Sequence, residues 1–269
     1  MKICVCGKGG SGKSTVVALL AAELRSRAKQ VLVVDSDESN AGLYRMLGLN
    51  EPPALLMELA GGKRSIQRVL RAGFAENGSY EEKPVLARDE LRVEDLPPAY
   101  VRQREGIALV CIGKIHQALE GCACPMGVLS REFLKKLRTD EDEIVIVDME
   151  AGVEHFGRGV ETSVDAVLVV VEPSLESVML AERIKALASG AGAMFVGAVL
   201  NKVSSGEIAS RLGEALQRRG VQVLSAIPFR QELLEAGLEG TPLNSESVAD
   251  EIRPILNSVL AAAASPQGD

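Results

Sequence analysis

Tryptophan is absent from this sequence of 269 residues, and five Phe with three Tyr make only 3% aromatic residues. The core that its 46% hydrophobic residues must build is therefore aliphatic. No stretch approaches the run of about 18 uninterrupted apolar residues that a membrane-spanning helix needs. An excess of positive charge is missing too: 30 Lys and Arg stand against 37 Asp and Glu, giving a formal charge of −7 and a pI near 5.2. That balance argues against a general nucleic-acid or anionic-membrane surface, and no partner of either kind is expected. Five cysteines, an odd number, read as reduced thiols or metal ligands rather than as a disulfide framework. The sequence enters a strand pattern at once, which predicts no signal peptide and a cytoplasmic location. Internal repeats and low-complexity tracts are lacking, and the length suits one large α/β domain over residues 1–269 rather than two independent ones.

What is present is concentrated in the first fifteen residues. Residues 1–6 read as a short buried strand that runs into Gly7-Lys-Gly-Gly-Ser-Gly-Lys-Ser-Thr15. Gly7, Gly12, Lys13 and Ser14 satisfy the pattern G-x-x-x-x-G-K-[ST], in which glycines let backbone N–H groups close on phosphate oxygens where a helix begins. Lys13 is then the residue that lies on the β- and γ-phosphates, and the Ser14 hydroxyl is a ligand for Mg²⁺. Gly9, Gly10, Ser11 and Thr15 complete the loop, with ATP as the expected nucleotide. The apolar strand before it and the helical pattern at 16–24 after it are the context the motif requires. Lys8 is a second lysine in the loop. One site needs only Lys13, so on residue type alone Lys8 is an exposed, solvated side chain.

A second buried strand at 31–35 ends in Asp35-Ser-Asp37-Glu-Ser-Asn40. Ligands of an open parallel sheet sit at the carboxyl ends of its strands, so Asp37 is a candidate for orienting an attacking water or for holding Mg²⁺ through its water shell. The alternative is capping of a short helix at 41–47. Aliphatic runs at 106–112, 143–148, 166–171, 194–200 and 221–227 suit strands covered on both faces, and helical periods at 129–138, 174–189, 208–219 and 248–262 alternate with them. The fold class is α/β, a doubly wound, mostly parallel sheet of about seven strands with helices on both faces. Residues 51–105 are a less regular excursion punctuated by Pro and Gly pairs, with short helices at 55–60 and 65–72 and a small strand pair or irregular loop at 84–96.

Asp148 closes the strand at 143–148, where phosphate-loop proteins place the carboxylate that holds the Mg²⁺ shell, and Gly152 lets backbone approach a γ-phosphate. Asn201 and Lys202 follow the run at 194–200 directly. An Asn side chain offers a donor and an acceptor, which suits the edge of adenine; a turn residue at a strand end is the plainer reading. Cys4 and Cys6 alternate on the first strand, and Cys111 lies in another, so all three read as core. Cys122 and Cys124 differ, because Gly121 and Pro125 bracket them and no strand pattern runs through them. A loop thiolate near a helix start suits metal binding or redox reactivity. One C-x-C supplies two soft ligands where a tetrahedral site wants about four, and two subunits related by a twofold axis would supply them.

The loop with its extra lysine resembles that of the family that includes the cell-division and plasmid-partition ATPases, the nitrogenase iron protein and metallocentre-assembly ATPases. That resemblance implies that Lys8 reaches the nucleotide of a partner subunit in an ATP-dependent homodimer. It makes 148–160, with Glu150, Glu154 and His155, a second switch segment, and it places Asn201 and the loop containing Pro228 and Phe229 around the base. With Cys122-Ala-Cys124 and the run from Asp148 to Gly159 added, the chain is similar over its length to the CooC-type ATPases that mature nickel-containing carbon monoxide dehydrogenase. The resemblance implies slow, switch-like ATP hydrolysis, Ni²⁺ or Zn²⁺ held by Cys122 and Cys124 at the dimer interface, and the dehydrogenase apoenzyme as client. Two alternatives share the fold. An iron–sulfur scaffold ATPase usually shows C-x-x-C near the C-terminus, where this chain has no cysteine, and a positioning ATPase would need a basic patch or tail, whereas residues 244–269 hold Arg253 as their one cation.

Overall fold

The computed structural model describes residues 1–73, 83–114, 124–153, 159 and 163–264. Eight strands form one sheet in the order β3-β4-β2-β5-β1-β6-β7-β8. They are β1 (Lys2–Gly7), β2 (Gln30–Asp35), β3 (Arg102–Arg104), β4 (Ile107–Cys111), β5 (Glu143–Asp148), β6 (Ala166–Val171), β7 (Phe195–Val203) and β8 (Val223–Pro228). Among the described residues every strand pairing in this sheet is parallel except β3 against β4. The eighth strand is β3, whose Arg-Gln-Arg sequence is too short and too polar to show an aliphatic pattern.

Strand residues alternate between two buried clusters, one on each face. Ile3 and Val5, Val31 and Val33, and Ile144 and Ile146 join the cluster that packs on α1 (Lys13–Ser26) and α9 (Ala249–Ala264). Cys4 and Cys6, Leu32 and Val34, and Val145 and Val147 join the cluster on the other face, under α5 (Cys124–Lys136), α6 (Leu175–Gly190) and α7 (Gly206–Gln217). Serines cap the last two: Ser174 accepts from the Ser177 N–H at 3.2 Å and Ser205 from the Ile208 N–H at 3.3 Å.

The excursion holds two short helices, α3 (Leu56–Leu59) and α4 (Lys63–Ala72), close to the predicted positions. Among the described residues 84–96 make no strand pair with each other; Leu91 instead forms one isolated bridge with Leu137. Leu86, Leu91 and Leu96 are buried in the same cluster as Phe133 of α5. Glu132, also on α5 and buried, accepts from the N–H groups of Val85 and Leu86 at 2.8 and 2.9 Å and pairs with Lys136 at 2.7 Å. The excursion is thereby fastened to α5 by backbone hydrogen bonds to a buried carboxylate, which are costly to break. A further helix, α8 (Gln231–Glu239), follows β8 and buries no residue, which is why no apolar stripe announced it; α2 (Leu43–Met46) is a single turn.

Candidate functional site

The loop between β1 and α1 is shaped by glycines. Gly7 has φ 141°, and a Cβ there would fall 2.5 Å from the Val170 carbonyl oxygen on the neighbouring strand. Gly12 has φ 93°, and a Cβ would lie 2.3 Å from Asn201 Nδ2. Neither position accepts a side chain, so the backbone can close into the tight cradle that the motif requires. Gly152 donates its N–H to the Gly7 carbonyl at 3.2 Å, which ties the segment after β5 to the loop. Lys13 is buried, and its ammonium donates to the Lys8 carbonyl at 3.4 Å.

Strand parity then brings two carboxylates under the loop. Asp35 follows Val31 and Val33, and Asp148 follows Ile144 and Ile146, so both point to the α1 face; they are also register partners on adjacent strands. Ser14 Oγ donates to Asp148 Oδ2 at 2.6 Å, and Asn40 Nδ2 donates to Ser14 Oγ at 2.6 Å. Asp148 Oδ1 is buried with no hydrogen-bond partner among the described residues, a costly arrangement for a carboxylate oxygen. Burial pushes the Asp148 carboxyl up to about 7, helped by the neighbouring Asp35 and Asp37 and opposed by the Ser14 hydrogen bond. Asn40 was not singled out from sequence, where its side chain reads as a turn former. It is that as well, since its Oδ1 accepts from the Gly42 N–H at 2.9 Å.

A pH prediction follows from Asp148. The unfolded chain releases this proton near 3.8 and the folded chain holds it to about 7, so the folded state binds more protons across that window and ionisation opposes folding. Without nucleotide or metal, Asp148→Asn should gain on the parent protein by an amount on the order of a few kcal/mol as pH rises from about 4 to about 8. Thermal denaturation of both proteins across that range measures it; a gap between them that is constant with pH removes the effect.

At the end of β2, Lys114 donates to Asp35 Oδ2 at 2.7 Å and also to the Asp37 carbonyl. Burial raises the Asp35 carboxyl to about 6 against the pull of Lys114. Asp37 is buried, and its Oδ1 accepts from the N–H and hydroxyl of Ser39 at 2.9 and 2.6 Å. It forms a local turn and does not cap α2, which has no side-chain cap. Lys8 turns away from Lys13, pairing with Glu176 at 2.7 Å and Glu172 at 3.3 Å, and these carboxylates raise its pKa.

β7 runs three residues past the predicted end, because register shifts let the strand absorb Asn201 and Lys202. Lys202 has φ 58°, so successive side chains part: Asn201 is buried and donates to the Ser11 carbonyl at 2.8 Å, while Lys202 donates to the Gly10 carbonyl at 2.5 Å. Both line a cavity of about 240 Å³ with Gly12, Thr15, Pro228 and Phe229, closed on one side by Leu234 and Leu238 of α8. The wall is largely apolar, suited to a flat aromatic ring beside the phosphate loop.

Cys4, Cys6 and Cys111 are all buried, and Cys6 Sγ lies 3.6 Å from the Leu168 carbonyl. Burial, with Asp35 beside it, pushes the Cys111 thiol up to about 12, so it stays protonated. Cys124 is the first residue of α5. Cys122, Glu154 and His155 lie outside the described residues.

Comparison with known proteins matches residues 3–243 to the CobQ/CobB/MinD/ParA nucleotide binding domain. The chain is 41% identical over 246 residues to an uncharacterised ATP-binding protein of Methanocaldococcus jannaschii, covering 91% of this chain and 95% of that one. It is 34% identical over 241 residues to the carbon monoxide dehydrogenase accessory protein CooC of Rhodospirillum rubrum, covering 89% and 88%. Among solved structures, the septum site-determining protein MinD of Pyrococcus horikoshii, complexed with Mg-ADP, superposes with a TM-score of 0.65 at 18% identity over 99% of each chain.

Proposed function

The chain belongs to the CobQ/CobB/MinD/ParA nucleotide-binding family and is an ATPase, and we propose that it is a nucleotide-switched metallochaperone that delivers nickel to a carbon monoxide dehydrogenase apoenzyme. The observation that carries this reading is connectivity: in the chain Cys122 precedes α5 and Cys124 opens it, both following Lys114, and Lys114 binds the turn at Asp35 to Asp37 beside the phosphate loop. The similarity to the CooC protein over most of both chains supports it.

In this reading Lys13 and the backbone of residues 9–15 hold the ATP phosphates, while Gly152 lets the segment after β5 approach the γ-phosphate. Asn201, Lys202, Pro228 and Phe229 surround the base. The Ser14 hydroxyl and Asp148 would hold Mg²⁺; the unpartnered, buried Asp148 Oδ1 fits an oxygen reserved for a cation shell. Bound there, Mg²⁺ supplies charge neutralisation on the phosphates. Asp37 exchanges Ser39 for the attacking water, and Lys8 exchanges Glu172 and Glu176 for the nucleotide of a second subunit. Nickel, or zinc, is cargo on the Cys122 and Cys124 thiolates of two chains.

Two variants test the division of labour. Lys8→Ala should weaken ATP-driven dimerisation and turnover together, because it deletes the charge proposed to cross the interface. Asp37→Asn should keep ATP and accumulate a long-lived ATP dimer, with turnover down by about tenfold or more. Light scattering with Mg²⁺ATP and phosphate release read both. Parental hydrolysis in Asp37→Asn would remove the water-positioning role, and unchanged dimerisation in Lys8→Ala the trans role.

A further inference from the structure

The reading above gives Lys114 no part in ATP hydrolysis, yet it is one of the most enclosed ammonium groups at the nucleotide edge. Its side chain is 11% exposed and its partner Asp35 3%. It stands three residues past the end of β4, on the strand adjacent to β2. The backbone beside it is fixed on both sides: the Ile112 N–H donates to the Asp35 carbonyl at 2.9 Å, and the Met57 N–H donates to the Ile112 carbonyl at 2.9 Å. From that anchored position the ammonium bridges two groups of the turn that carries Asp37. One is the Asp35 carboxylate, whose other oxygen accepts from the Asp37 N–H at 3.2 Å; the second is the Asp37 carbonyl. The peptide groups on both sides of the Asp37 Cα are therefore held by one ion pair, and only the side chain is left to turn.

We propose that Lys114 is a positioning residue for ATP hydrolysis, acting through Asp37: by bridging Asp35 and the Asp37 carbonyl it fixes the backbone from which the Asp37 carboxylate reaches the attacking water. The proposal rests on the water-positioning role assigned to Asp37. A purely structural ion pair is the competing account. The two differ in what restores function, because Asp35 needs a partner of any kind, whereas Asp37 needs a donor on its carbonyl.

Deleting Lys114 alone leaves a buried carboxylate uncompensated and destabilises the protein for trivial reasons. The informative protein is therefore Asp35→Asn/Lys114→Met, which removes both charges and keeps the volume. Its melting temperature and ATP affinity should stay near those of the parent, affinity within about threefold, while kcat falls by about tenfold or more, as expected when a charge-assisted hydrogen bond that positions a catalytic group is lost. Mutant cycles with Asp37→Asn complete the test: once Asp37 is changed, removing the pair should cost little further turnover. Parental kcat in the double variant, beside a crippled Asp37→Asn, overturns the role of Lys114 alone. Parental kcat in Asp37→Asn overturns the Asp37 assignment and this proposal with it. Fully additive losses in kcat would show that Lys114 does not act through Asp37. If the double variant does not fold, Asp35→Asn/Lys114→Leu, which likewise leaves the Asp37 carbonyl without a side-chain donor, carries the same comparison.

Discussion

Lys13→Ala should lose ATP binding altogether in the usual concentration range while melting close to the parent protein. The two halves of that expectation have different causes. Lys13 sits at the first position of α1, buried against the loop, and among the described residues its ammonium makes a long 3.4 Å contact to the Lys8 carbonyl. Removing it costs the apo fold little, because the loop is held by glycine geometry, by the Gly152 to Gly7 hydrogen bond and by Asn201 and Lys202 on the carbonyls of Ser11 and Gly10. A polyphosphate, by contrast, loses the only lysine that the motif directs at its β- and γ-oxygens. A charge-assisted contact of that kind, in a site with low exposure, makes a drop of at least about a hundredfold in affinity reasonable, close to 2.7 kcal/mol. Isothermal titration with ATP and Mg²⁺, beside a thermal melt, separates binding from folding. An unchanged affinity in a folded variant would remove the central assignment of residues 7–15.

The parts of this site that were legible in the sequence are those where chemistry and local periodicity coincide. The phosphate loop, Asp148 at the end of an unbroken aliphatic strand, and the doubly wound sheet all rest on short-range patterns. What was not legible depends on side chains meeting across strands. Lys114 reads as an ordinary cation after a strand, and nothing local shows that β4 lies beside β2 and delivers it to Asp35. Asn40 reads as a turn former and is also a donor to Ser14. Asn201 and Lys202 seemed to follow β7, because polar residues end an aliphatic run; the bulged strand carries them inside it and sends one to each of two loop carbonyls. Helix α8 was missed for the opposite reason. It closes one side of the apolar cavity with Leu234 and Leu238, 45% and 78% exposed, and so has no buried stripe to reveal it.

Replacing Cys122 and Cys124 together should remove metal binding and metal-induced dimerisation while leaving ATP binding in place. The ligand arithmetic gives the reason. A soft divalent ion seeks about four ligands, and one C-x-C offers two thiolates; a twofold axis doubles them without any further sequence motif. The other three cysteines are poorly suited to the task. Cys4 and Cys6 lie fully buried on β1, and Cys111 is buried with its thiol held protonated beside Asp35. Cys4→Ser and Cys111→Ser should therefore change stability and leave metal stoichiometry alone. If one ion joins two chains, metal must favour the dimer by the same free energy by which dimerisation tightens metal, and the stoichiometry must be one ion per dimer. In the proposed switch ATP would enter the same equilibrium through Lys8, which pairs with Glu172 and Glu176 and would have to leave them to reach a second subunit. Hydrolysis would then weaken the dimer and the metal site together, which is the behaviour a delivery protein needs. Nickel titration followed by sedimentation, on anaerobically purified parent and Cys122→Ser/Cys124→Ser, measures stoichiometry and association at once. One tightly held ion on a monomer, or full binding by the double variant, would defeat a site shared between subunits.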